Sequence, residues 1–150
     1  MTLHERLAAD MKEAMRAKDA TRLQTLRFLL AVLHNKEIEK RSKGADAHLS
    51  EEEVRVALQG EAKKRREAAA LFARGGRADL AQREKAELTI LDAYLPQLMG
   101  EKEVRSAVES VVARTQTREF GPAMKEAMKE LRGKADAATV AAAVKEILGR

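Results

Sequence analysis

Apolar residues recur along the chain at three- and four-residue steps, the spacing that gathers side chains on one face of an α-helix. Leu3, Leu7, Met11 and the Ala14/Met15 pair predict a first helix from about Leu3 to Lys18, broken at Lys18-Asp19. The next helix, roughly 20 residues long on the same period, carries Leu23, Leu26, Leu30 and Leu33, a stripe widened by Phe28, Leu29 and Val32. Past Val32 the pattern turns polar as HNKEIEKR, which predicts a helix end projecting beyond the core. Ser42 to Leu49 has turn residues and no period, and reads as a mobile loop. Ser50 with Glu53 predicts a capping box, opening a third helix that runs to about Arg74 through Val54, Leu58, Ala62, Ala69 and Phe72. Gly75-Gly76 ends it. A fourth helix spans about Asp79 to Leu95, with Leu80, Leu88, Leu91 and Leu95 on one side and Pro96 as its stop.

The segment Pro96 to Gly100 is the best candidate for a linker, and three shorter helices follow it. Glu101 to Arg114 carries Val104, Val108 and Val111, and Gly121 to Arg132 carries Met124, Met128 and Leu131. After a helix stop expected at Gly133, Asp136 is placed to N-cap a last helix bearing Val140, Val144 and Ile147. The fold class expected is all-α: an N-terminal four-helix unit over 1–95, a linker at 96–100 and a small three-helix domain over 101–150.

Composition narrows this further. Of 150 residues 35% are charged and only 3% aromatic, with no Trp, which favours helix and comes close to excluding a sheet protein. The absence of Cys removes disulfides, thiolate nucleophiles and Cys-based zinc sites together. A net charge of +5 tilts the protein mildly toward anionic partners. No apolar stretch approaches the length of a membrane span, and the start, MTLHERLAADMKE, is charged and helix-like. No membrane association and a cytoplasmic location are therefore expected.

Two longer runs are recognisable. AMRAKDATRLQTLRFLLAVLHNKEIEKR and EEEVRVALQGEAKKRREAAALFARGGRADLAQREKAELTILDAYLP resemble the YqeY family of small bacterial helical proteins. The tail FGPAMKEAMKELRGKADAATVAAAVKEIL resembles the C-terminal helical domain of the GatB subunit of tRNA-dependent amidotransferases. The AYLP junction and the GKAD turn are the most specific pieces. Pro122 and the Ala-rich DAATVAAAV depart from the family pattern; the second thins any contact made by those side chains. The resemblance implies an accessory role near tRNA, or near the machinery that amidates aminoacyl-tRNA. Families sharing this tail are labelled carbon–nitrogen ligases with glutamine as amido donor. In the larger enzyme the tail touches tRNA, and the chemistry sits in a cradle domain that is absent here.

The residues supply no independent chemistry to add. Glutamine hydrolysis needs a nucleophile with an activating base, and Ser42, Ser50, Ser106 and Ser110 lack that setting. Neither phosphate-cradling glycine motif occurs, so no nucleotide cofactor is expected, and His4, His34 and His48 lack a metal-ligand spacing. No catalytic residue and no metal are assigned, although His34 and Glu37 are spaced to pair on one helix face. If the chain takes part in amidation at all, it does so as a component of a glutamine-dependent ligase system.

Charge patterning offers two anion-binding candidates. Lys63-Lys64-Arg65-Arg66 spreads around a helix, but Lys63, Arg66 and Arg74 fall roughly on one side, with Arg77 placed to extend them. Against this, Glu61–Arg65 and Lys63–Glu67 are i,i+4 pairs that describe an ordinary solvated face. In the tail, Lys125, Lys129 and Arg132 form one stripe, and Lys134 follows beside the next helix N-terminus. Glu126, Glu130 and Asp136 counter it. Phe28, Phe72, Tyr94 and Phe120 occupy expected core positions, so any nucleic acid would be held by backbone and shape without base stacking. The rival reading is a helical protein–protein interaction module presenting a groove to a partner helix.

Overall fold

A computed structural model describes all residues from Met1 to Arg150. It contains seven helices and no strand: α1 (Leu3–Arg16), α2 (Ala20–Ser42), α3 (Glu51–Arg74), α4 (Ala78–Asp92), α5 (Glu101–Thr115), α6 (Phe120–Leu131) and α7 (Ala137–Leu148). The chain divides into two compact units, Met1–Leu95 and Pro96–Arg150. The boundary falls ahead of Pro96, so 96–100 belongs with the second unit. Met99 packs against that unit's core, and its N–H donates to the Lys134 carbonyl at 2.9 Å.

In the first unit α3 lies along α4 and α1 along α2. Leu7, Ala14, Leu26, Leu29, Leu33, Val54, Leu58, Ala62, Leu91 and Tyr94 form the buried core. On α2 the fully buried leucines are Leu26, Leu29 and Leu33, while Leu23 and Leu30 flank them. The helix packs against α1, α3 and α4, so its buried face is wider than one stripe. No residue of α2 beyond Leu33 is buried, in keeping with a projecting polar end.

Helix ends are closed by local side chains. The Ser50 hydroxyl accepts the Glu53 N–H at 3.1 Å, but the Glu53 carboxylate turns to Lys40 at 3.0 Å, so only half of the expected capping box forms. The complete box is at α1, where Thr2 and Glu5 satisfy each other's backbone N–H groups. Glu51 reaches from α3 to accept the Leu3 N–H at 3.1 Å, joining two helix starts. Gly60 is unusual: it sits in the middle of α3, and a Cβ there would meet nothing within 4 Å. Mid-helix glycine costs about 1 kcal/mol against Ala, and nothing packed inside this chain requires it.

The second unit is built from smaller side chains. Val104 and Val108 of α5 meet Ala123, Ala127 and Leu131 of α6 and Val140, Ala143 and Val144 of α7. Met124 and Met128, expected on the core stripe, are only partly buried. Alanines let the helices approach closely, and the two flexible methionines fill the seam beside them. Gly133, at φ +80°, allows the reversal between α6 and α7.

Candidate functional site

The tail stripe is set by the period of α6. Burying Ala123, Ala127 and Leu131 turns Lys125, Lys129 and Arg132 outward, and all three are exposed, as is Lys134 in the turn. Their acidic neighbours are engaged. Glu126 accepts a 2.9 Å hydrogen bond from Lys129, which holds its carboxyl below the usual carboxylate range and keeps it ionised. Glu130 is bound by Arg114 of α5, a partner that periodicity could not reveal. Asp136 occupies the N-cap of α7 with no side-chain cap bond. Lys125, Arg132 and Lys134 have no carboxylate within 4.0 Å. Lys125 also borders a shallow depression with Thr115, Thr117, Gly121 and Pro122.

The basic run on α3 is divided by packing. Arg65 is buried, with its guanidinium 3.4 Å from Glu61, 3.5 Å from Glu87 of α4 and 4.9 Å from the centre of the Phe28 ring. Lys64 turns back to Glu61 at 3.2 Å, and Arg66 lies 4.0 Å from Asp92. Lys63 and Arg74 are exposed without an ion pair, but the Lys63–Glu67 pair does not form. Arg77 is held by Asp79 at 3.2 Å and does not extend the patch.

The aromatic residues correct one expectation. Tyr94 is buried and Phe72 half-buried, but Phe28 is 46% and Phe120 41% exposed. Phe28 lies at the edge of α2 under Arg65, and Phe120 opens α6, outside its core face, with Lys145 over its ring. Both rings are engaged by a cation.

At the AYLP junction the Tyr94 hydroxyl donates to Asp10 of α1 at 2.5 Å. Arg6 lies over its ring, 4.7 Å from the centre, and donates to the Ala93 carbonyl. Burial, reinforced by the Asp10 bond and charge, pushes the Tyr94 phenol up to about 12. In the unfolded chain a tyrosine titrates near 10. The neutral phenol therefore stabilises the first unit fully below pH about 10, and that contribution is lost as pH rises toward about 12. Tyr94 is the sole tyrosine and there is no Trp, so phenolate absorbance reports it directly. Its native midpoint is expected near 12, falling to about 10 in denaturant; a native midpoint already at 10 contradicts the burial argument.

Glu37 lies between two histidines, 3.6 Å from His4 and 3.8 Å from His34. No group of three or more His, Asp or Glu side chains is arranged to hold a metal ion. No helix is long and apolar enough to cross a membrane.

A family model described as "Yqey-like protein" matches residues 4–148. The chain belongs to the YqeY family. Curated family relatives include "Altered inheritance of mitochondria protein 41, mitochondrial" from three fungi. That of Eremothecium gossypii is 40% identical over 92 residues, 61% of this chain and 48% of the relative. In Lachancea thermotolerans the identity is 32% over 133 residues, 86% of this chain and 68% of the relative. In Pyrenophora tritici-repentis it is 30% over 149 residues, 96% and 80%. The chain thus spans about half the length of the first of these and more of the others.

These names overturn the cytoplasmic expectation, since all five relatives found are named as mitochondrial proteins. The physical reason is plain. Neither the absence of Cys nor the absence of a long apolar helix selects one compartment over another.

Proposed function

We propose that this YqeY-family protein is a non-catalytic accessory factor whose tail lies against tRNA backbone, in or near the amidation of aminoacyl-tRNA. The observation that carries the reading is the outward stripe of α6. Its acidic flanks are bound by Lys129 and Arg114, leaving Lys125, Arg132 and Lys134 unpaired on one helix and the turn after it. The GatB-like character of the same segment supplies the partner class. The Lys134 backbone is anchored through Met99, which fixes the turn from which its side chain projects. Lys63, Arg66 and Arg74 form the weaker candidate, because Arg66 is paired and Arg65 between them is buried. Serine chemistry adds no support for catalysis: Ser42 bonds the Glu39 carbonyl, Ser50 caps α3, and Ser106 and Ser110 line an open depression beside no histidine.

The test is anisotropy titration of labelled bulk tRNA with the full chain across a salt series. Replacing Lys125, Lys129 and Arg132 by Gln keeps good helix formers. Binding is expected to weaken and the log–log salt slope to flatten by about two units, roughly one for each phosphate no longer neutralised, Lys129 counting little because it is already paired. The same exchange at Lys63, Arg66 and Arg74 is expected to leave the slope nearly unchanged. If the α3 set alone abolishes binding, the assignment to the tail is wrong. If neither set matters, the charge is only surface charge and the interaction-module reading replaces this one.

A further inference from the structure

Between the projecting half of α2 and the first half of α3 lies a groove of about 710 Å³. Val32, Leu49, Val56, Ala57 and Gly60 supply its apolar surface. Val56 is 51% exposed, and one turn along α3 from it Gly60 leaves the groove without a side chain. From Glu52 to Lys64 the α3 bank runs about 18 Å. A helix of about 10 Å diameter sunk to half its width over that length displaces about 700 Å³. Length and volume therefore suit about three turns of helix.

Charge is distributed across the groove unevenly. The α2 bank carries Lys36, Lys40 and Lys43 against Glu39 alone, and the α3 bank carries Glu52, Glu53 and Glu61 against Lys64 alone. Lys40 pairs with Glu53 across the groove, Lys36 and Lys43 share Glu39, Glu52 is held by Arg55, and Lys64 and the buried Arg65 share Glu61. The groove thus offers no free buried polar group to orient a small polar ligand, whereas its exposed pairs, Lys40–Glu53, Lys43–Glu39 and Glu52–Arg55, are weak and readily exchange partners. Its acidic bank disfavours nucleic acid.

We propose that this groove docks an amphipathic helix of a partner protein, with a small residue of that helix set over Gly60. The partner helix carries acidic side chains along the flank above α2 and basic ones along the flank above α3. An open mid-helix glycine is then accounted for, since it permits close backbone approach by the incoming helix. The two banks also fix the direction in which the helix lies, because reversing it exchanges its flanks. This interface is independent of the tail stripe and of any tRNA contact.

The experiment is selection of a displayed library of amphipathic helical peptides against the full chain, with randomised flanks and a randomised central position. Enriched peptides are expected to bear acid on one flank, base on the other, and Gly, Ala or Ser at the centre. Gly60→Leu projects into open space and improves helix propensity, so it is expected to raise the thermal midpoint while weakening those peptides at least about tenfold. Val56→Glu is expected to weaken them similarly with the fold retained. No enrichment, enrichment without flank polarity, or affinity indifferent to Gly60→Leu and Val56→Glu overturns the proposal.

Discussion

Arg65→Ala is expected to destabilise the first unit by about 3 kcal/mol, at the low end of what breaking a buried ion pair costs. Arg65 is 8% and Glu61 7% exposed, so removing the guanidinium leaves a carboxylate with little access to water. Lys64, 3.2 Å from Glu61 and itself exposed, offsets part of the loss. The native arrangement is not optimal either, because Arg65 Nε is buried with no hydrogen-bond partner. Arg65→Met combined with Glu61→Gln is accordingly expected to recover most of the stability, since neither replacement strands a buried charge. Urea denaturation followed by circular dichroism measures both. A single variant as stable as the parent shows that the cluster contributes no net stability, and a double variant as weak as the single shows that packing over Phe28 matters more than charge.

In the second unit the largest expected effect is Leu131→Ala. Leu131 is the only buried leucine in a core of valines and alanines, so the unit has little volume to redistribute around a gap. Such a truncation costs about 2–5 kcal/mol, and a single core of about 55 residues rarely supplies more than about 3–5 kcal/mol. The variant is expected to unfold α5–α7 at room temperature while the first unit stays folded. Amide hydrogen exchange reads this residue by residue: protection should vanish beyond Pro96 and persist in α2 and α3. Protection retained in both units contradicts the account of the second core. Leu131→Met, which conserves volume, is expected to stay folded.

The candidate sites were legible to different degrees. The stripe of Lys125, Lys129 and Arg132 follows from helical spacing alone, because burying one face of α6 dictates what the opposite face presents. That Lys129 is paired and Glu130 is removed by Arg114 was not legible, since Arg114 and Glu130 meet only when α5 and α6 pack. The groove left a faint signal. Val56 and Gly60 stand one turn apart on a helix face otherwise carrying Lys63, Glu67 and Arg74, an apolar residue and a glycine among charged neighbours.

Helix existence, helix order and the approximate ends were determined by sequence, because a period near 3.6, capping side chains at Thr2, Asp19 and Ser50, and breaks at Gly76 and Pro96 all act within a few neighbouring residues. Tertiary structure alone decided which members of those patterns were used. Lys63, Lys64, Arg65 and Arg66 are chemically alike in sequence, yet only Arg65 faces Glu87 and Phe28, and so only Arg65 is buried. Phe28 and Phe120 look like core residues by type and lie at edges, because burial depends on which helices come close. The alanines of α6 are buried in the second core while its methionines are only partly buried against it, for the same reason: close packing selects side chains by the space between helices, a quantity that no helix carries on its own.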